Sequence, residues 1–224
     1  MREKNMKTVL VFSGGMDSTT LLYDVLDTGG TVEAIAVNYN QRHKKELECA
    51  ESICRGLGVK FDVLDLSGLS RFLTGSSQSD ATIPVPFGRY NEPSMRQTVV
   101  PNRNMFMLAA VGAIAIARKA DQLMYGAHSG DHTIYPDCRP VFVEAMRAAF
   151  MLSDWHHLGL VAPYLQLTKG QIARRGLFLD VPYQMTWTCY VGDTVPCQQC
   201  GACTERAEAF EFCGAPDPLL EVLR

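Results

Sequence analysis

Five times along this 224-residue chain a short β-rich run is followed by a stretch of helical periodicity, and that alternation limits the fold more than any other feature. The run Thr8 to Phe12 leads into a helix expected from about Ser18 to Asp27, stopping at Gly29-Gly30. Val32 to Asn38 is a second strand. From Arg42 the apolar residues Leu47, Ala50, Ile53, Cys54 and Leu57 recur at helical spacing up to Gly58. Further strands are expected at Val59 to Leu64, Gln122 to Gly126 and Leu160 to Leu165. Helices are expected from Asn104 to Lys119, around Val141 to Leu152, and from Thr168 to about Gly176. The pattern predicts an α/β fold with a doubly wound, five-stranded parallel sheet covered on both faces.

Two segments interrupt it. Residues 67–101 are polar, carry Pro and Gly, and show little periodicity; so long a connection inside a compact domain is usually functional, as a wall or lid beside a substrate. Residues 179–224 hold a cysteine cluster. The expected organisation is a main domain over 1–178 and a small appended subdomain over 179–224.

Open parallel sheets bind ligands beyond the carboxyl ends of their strands. Phe12-Ser13-Gly14-Gly15-Met16-Asp17-Ser18-Thr19-Thr20 lies at that position after the first strand. Gly14 and Gly15 let backbone N–H groups converge on an anion without interference from Cβ atoms. Ser18 opens a helix whose unpaired N–H groups and dipole attract negative charge. Ser13 and Ser18 can donate hydroxyls to phosphate oxygens. Asp17 repels phosphate, so it either holds Mg²⁺ or caps the helix. A tight capped turn is the plainer alternative. No Gly-x-x-x-x-Gly-Lys-Ser/Thr is present, which excludes the P-loop of kinases and GTPases. Ser-Gly-Gly-x-Asp-Ser resembles instead the loop of the PP-loop superfamily, which splits ATP between its α and β phosphates.

Thr168-Lys169-Gly170-Gln171 has the form of a capping box, with Lys169 in the first helical turn. A cation there opposes the helix dipole by a few tenths of a kcal/mol. Lys169 therefore either faces an anionic ligand or is a solvated surface lysine.

Polar stretches at other strand ends point to the same rim. Gln41, Arg42 and His43 follow the second strand, Arg103 starts the long apolar helix, and Asp131, Asp137 and Arg139 follow the fourth. Arginine matches phosphate or carboxylate through its planar fork, and aspartates match the amino and ring N–H groups of a guanine-like base. Capping and surface ion pairing are the alternatives for each. His128 and His132 flank a glycine in a loop and are not expected to form a metal pair.

Cys189, Cys197, Cys200 and Cys203 supply four thiolates with the spacing of a tetrahedral Zn²⁺ knuckle; a [4Fe–4S] cluster is the competing reading. Cys49, Cys54 and Cys213 read as buried apolar side chains. A net charge of −3 and a pI near 5.9 argue against an extended nucleic-acid surface. The apolar run after Met6 is too short for a signal peptide, and Met105 to Ala117 is too short to span a bilayer and reads as a buried helix. A soluble, cytoplasmic protein in a reducing compartment is expected.

Several motifs together resemble the 7-cyano-7-deazaguanine synthase family of PP-loop enzymes. They are the Phe12–Thr20 loop, Gln41-Arg42-His43, Val100-Pro101-Asn102-Arg103-Asn104, Tyr135-Pro136-Asp137-Cys138-Arg139, and Thr188-Cys189-Tyr190 followed by the three-cysteine run. The family usually has glycine where Asn102 stands, and asparagine tolerates the left-handed backbone such a turn uses. The resemblance implies ATP- and Mg²⁺-dependent conversion of 7-carboxy-7-deazaguanine and ammonia to the 7-nitrile, through an acyl-adenylate and an amide. It implies structural zinc on the four cysteines and a homodimer, with free ammonia or a separate donor protein as nitrogen source. Residues Phe12 to Thr20 would bind the nucleotide. Asp17, Lys169 and Arg103 are the catalytic candidates; Gln41, Arg42, His43, Arg103, Asp131, Asp137 and Arg139 are the substrate-side candidates. Alternatives are a PP-loop tRNA sulfur transferase, a variant stopping at the amide, and an ATP-binding module without turnover.

Overall fold

The computed structural model describes residues 6–89 and 92–223. Positions 1–5 of the expected main domain, 90–91 of the long connection, and 224 lie outside the described residues. The strands are Lys7–Val11 (β1), Thr31–Asn38 (β2), Lys60–Asp65 (β3), Gln122–Met124 (β4) and Gly159–Val161 (β5). All neighbours pair in parallel, in the order β3-β2-β1-β4-β5. Among the described residues eight α-helices accompany them: Met16–Asp27 (α1), Lys45–Leu57 (α2), Glu92–Met95 (α3), Arg103–Ala117 (α4), Pro140–Ser153 (α5), Lys169–Phe178 (α6), Gly201–Cys213 (α7) and Pro218–Glu221 (α8).

Strand periodicity divides the core. Val9 and Ile35 point to one face, with Leu108, Val111 and Ala115 of α4 and Val143 and Phe150 of α5. Their chain neighbours Leu10 and Ala34 point to the other, against Leu21 and Leu22 of α1, Ala50 and Ile53 of α2, and Ile172 of α6. The sheet is thus covered on both sides. The order reverses between β1 and β4, which opens the crevice used by ligands at a topological switch point.

Local signals account for most boundaries. Gly58 ends α2 in the left-handed conformation at φ 65°. Thr168 and Gln171 form the expected capping box of α6. Asn102 occupies the turn before α4 at φ 55°, so asparagine does adopt the left-handed backbone there. Several expectations need correction. The fourth and fifth strands end at Met124 and Val161, short of the expected Gly126 and Leu165. Helix α1 begins at Met16 rather than Ser18, and its N-cap Gly15 makes no side-chain cap, so neither Asp17 nor Ser18 caps it. The apolar helix α4 buries only one side, through Leu108, Val111, Gly112 and Ala115. It also continues a helical run, Arg96–Ala117, of 22 residues and mean hydropathy 1.4, long and apolar enough to cross a membrane by length and composition. The burial of that one side against β1 and β4 is the position of a core helix.

The C-terminal residues pack tightly on the rest. The Trp187 N–H donates to the Gly14 carbonyl at 3.2 Å, and Gly88 N–H donates to Gln199 O at 2.8 Å. Helix α7 packs against α6, and Phe210 and Ala209 share a buried cluster with Met16, Ala173 and Tyr183. The long connection and the cysteine-bearing segment therefore meet beside the phosphate loop.

Candidate active site

The β1–α1 turn is built around its glycines. Gly14 has φ +79°, and a Cβ there would stand 2.5 Å from Glu46 O and 2.6 Å from Ala50 N. Only glycine lets the turn sit against α2 this closely. Ser13 and Ser18 hold the shape: their hydroxyls lie 3.2 Å apart, Ser18 Oγ accepts from Ser13 N–H at 3.3 Å, and Ser13 Oγ accepts from Gly15 N–H at 3.2 Å. The first-turn N–H groups of α1 have no intrahelical partner and face the crevice mouth.

A cavity of about 220 Å³ opens there. Its lining includes Phe12, Ser13, Gly15, Met16, Asp17 and Ser18 of the turn, with Gln41, His43 and Glu46 beyond β2. Arg103, Tyr125, His128, Asp131, Lys169 and Glu205 complete the polar wall. Lys169 is neither solvated nor free. It is 10% exposed, and Nζ lies 3.0 Å from Asp17 Oδ2 and 2.9 Å from Glu205 Oε2. Burial opposes the lysine charge, but Asp17 and Glu205 outweigh it and hold its pKa well above the ordinary value. Burial likewise pushes the Asp17 carboxyl up, and the opposing pull of Lys169, with His128 behind it, leaves it below the usual carboxylate range. His128 Nδ1 accepts from Gly130 N–H at 3.1 Å, so its hydrogen sits on Nε2, 3.5 Å from Asp131 Oδ2 and 3.8 Å from Asp17 Oδ2. Arg103 lies over the Tyr135 ring at 5.8 Å.

Several sequence-derived candidates are turned elsewhere. Arg42 donates to the carbonyls of Ser77, Ala81 and Ile83 and so ties down the long connection. Asp137 accepts from Asn104 N–H at 3.0 Å, supporting the start of α4. Arg139 Nε donates to His132 O at 2.7 Å. Thr19 and Thr20 hydroxyls donate to the Gly15 and Met16 carbonyls, and Thr20 also meets the Tyr183 hydroxyl at 2.7 Å. These side chains, and Gly14, shape the site without lining it. Glu46 and Glu205 were not expected; each reaches the cavity from a different helix, and no local motif marks them, whereas His128 belongs to the stretch after the fourth strand that was expected at the rim.

The residues present fit the implied metals. Asp17 Oδ1 is buried without a hydrogen-bond partner, a hard oxygen donor suited to Mg²⁺. The sulfurs of Cys189, Cys197, Cys200 and Cys203 all lie within 4.8 Å of one another, as four ligands of one tetrahedral ion require. Cys189 Sγ already accepts backbone N–H groups of Gly192 at 3.1 Å and Cys197 at 3.2 Å, the bonding expected of a thiolate. Cys54 is buried and Cys49 half-buried, with burial pushing their thiols up to about 12 and about 11, and neither is part of the four-cysteine cluster.

A parallel α/β sheet with this glycine-bearing turn at its switch point defines a nucleotide-binding protein of the PP-loop type. Within that class, the model of the family described as queuosine biosynthesis protein QueC matches residues 7–214, and the chain belongs to that family. A protein of Methanoregula boonei named 7-cyano-7-deazaguanine synthase is 55% identical over 214 residues, covering 96% of this chain and 98% of that one. One of the same name from Hahella chejuensis is 49% identical over 213 residues, covering 95% and 92%. Among solved structures, NMN synthetase from Francisella tularensis superposes with a TM-score of 0.51 at 13% identity, covering 96% of this chain and 79% of that one. A 4-thiouridine synthetase in complex with RNA and ATP gives 0.50 at 17% identity, covering 97% and 52%. At such identities the two structures share the fold alone.

Proposed function

We propose that this chain is an ATP-dependent enzyme that converts 7-carboxy-7-deazaguanine and ammonia into 7-cyano-7-deazaguanine for queuosine or related deazapurine biosynthesis. The carrying observation is that the Ser13–Ser18 turn, Lys169 and Arg103 open into one cavity in a chain of this family. The carboxylate substrate is a poor electrophile, and adenylation turns its oxygen into a leaving group. The turn's N–H groups and the α1 N-terminus hold the pyrophosphate end of ATP. Lys169 and Arg103 stabilise negative charge on the phosphates and on the activated oxygen, where preorganised donors have most effect. Gln41, His43 and Asp131 contact the deazapurine side, and Arg42, Asp137 and Arg139 support that wall through the backbone contacts described above.

Asp17 Oδ1 would hold Mg²⁺, which neutralises phosphate charge. The four cysteines would hold Zn²⁺, whose coordination by four protein thiolates leaves no position for substrate, so its role is to fix residues 179–224 on the main domain. We further propose a cytoplasmic homodimer that binds no nucleic acid. An apolar groove between α4 and α5 is lined by the exposed Met105 with Ala109, Ala113 and Met146. Such a face is suited to a second copy, and sedimentation of the purified protein tests it.

The activity is tested by incubating the protein with ATP, Mg²⁺, ammonia and the carboxylate, and following products by mass spectrometry. Two AMP per nitrile are expected. Amide without nitrile identifies the truncated reaction, and absence of both products refutes the assignment.

A further inference from the structure

We infer that His43 and Glu46 form a proton-accepting dyad for the nitrogen-transfer steps, His43 Nδ1 taking the protons that ammonia and then the amide must lose. The inference rests on the proposed function. His43 is 8% exposed, and its Nε2 lies 3.2 Å from Glu46 Oε2. An ionised carboxylate only accepts, so Nε2 carries the hydrogen and Nδ1 keeps its lone pair. That Nδ1 is buried and has no hydrogen-bond partner. Like Asp17 Oδ1 and the Tyr125 hydroxyl in the same lining, it is a buried polar atom without a partner, and such an atom calls for a reason.

The dyad stands at the cavity. His43 and Glu46 both line it, and the ring packs on Tyr190, also in the lining, at a centroid distance of 5.0 Å. Glu46 reaches the phosphate turn, since its Oε1 lies 3.8 Å from where a Cβ on Gly15 would be. The other basic groups in the lining are engaged. Lys169 binds Asp17 and Glu205, His128 faces Asp131, and the Nδ1 lone pair of His128 is taken by Gly130 N–H. Among the described lining residues His43 is therefore the imidazole with a free lone pair, and its carboxylate partner stabilises the imidazolium that forms. This is the arrangement of a base oriented by a third group.

The chemistry needs such a base. When ammonia attacks the adenylated carboxyl carbon, a C–N bond forms and the nitrogen must shed a proton before the C–O bond to AMP breaks. In the second stage the amide oxygen bonds the α-phosphorus of another ATP and pyrophosphate leaves. The nitrogen then loses two protons, and its electron pairs complete the triple bond as AMP departs with the oxygen. Every proton comes off nitrogen, and no oxidant or reductant is involved. The first adenylation requires no such proton transfer, which separates the dyad from nucleotide binding.

The test uses full-length protein with ATP, Mg²⁺ and 7-carboxy-7-deazaguanine, with and without ammonia. Pyrophosphate release in a single turnover without ammonia reports adenylation; amide and nitrile with ammonia report nitrogen transfer. His43→Gln is expected to lower the ratio of nitrile formation to pyrophosphate release about 100-fold or more, with both read at saturating 7-carboxy-7-deazaguanine so that weaker substrate binding, seen as a raised KM, affects the two alike. Glu46→Gln keeps the acceptor but not the charge, and is expected to lower nitrile formation about tenfold with the same release. Melting temperature and bound metal are measured for each variant. If His43→Gln does not fold, Glu46→Gln carries the test, and added imidazole should restore nitrogen transfer to His43→Ala. Parallel loss of pyrophosphate release, or nitrile formation at the wild-type rate, overturns the dyad. Wild-type protein that forms neither amide nor nitrile refutes the proposed function instead.

Discussion

Lys169, in the first turn of α6, reaches Asp17, in the first turn of α1, at 3.0 Å. Two helix N-termini thus converge on one point, and the carboxylate between them keeps the lysine charge from repelling both dipoles. The pair leaves Asp17 Oδ1 free. Asp17→Ala is expected to lower AMP formation by at least about 100-fold. Circular dichroism and bound zinc should stay those of wild type, because the four cysteines lie outside the pair.

The same pair has a consequence in acid. Asp17 has a folded pKa lowered by Lys169 against the cost of burial. A lowered value means that its stabilising contribution is complete above the unfolded pKa, about 3.9, and disappears as pH falls through the folded value. Urea denaturation should therefore show a constant stability difference between wild type and Asp17→Asn from pH 7 to about pH 5. Below about pH 4 the curves should shift towards each other in the direction that removes the wild-type contribution.

Gly14 tests the turn's geometry independently of chemistry. Alanine there would need the left-handed backbone and would press its Cβ against the backbone of α2. Left-handed strain of 1–2 kcal/mol and a comparable overpacking cost give a loss of about 3 kcal/mol. For a chain of this size that is a fall of about 6–12 °C in melting temperature. Scanning calorimetry checks it.

Cys200 is fully buried between the long connection and α7. Cys200→Ser should lose bound zinc and soluble yield together, since metal affinity there is folding free energy. Elemental analysis of the purified variant, with zinc but no iron in wild type, also separates zinc from the iron–sulfur alternative.

How much of this could be read beforehand follows from the range of each signal. The alternation of strands and helices, the Thr168 capping box and the Gly58 stop are local, and the structure has them. The four cysteines lie within one short segment, so their convergence was legible from spacing. Arg42, Asp137 and Arg139 show the limit: position at a strand end was correct, but the direction of each side chain depends on carbonyls and N–H groups far along the chain that needed partners. Glu205 and Glu46 were invisible for the same reason. Each becomes part of the site only because a helix distant in sequence packs beside the turn. The exposed side of α4 was misread because apolar composition alone does not tell a buried face from one awaiting a partner.

The most direct measurement is a crystal structure with α,β-methylene-ATP and Mg²⁺, a nucleotide that cannot be cleaved between its α and β phosphates. The account predicts the β and γ phosphates on the N–H groups of Gly15 to Ser18, with Lys169 turned to them and the metal on Asp17. Phosphates bound elsewhere, with this turn empty, would contradict it.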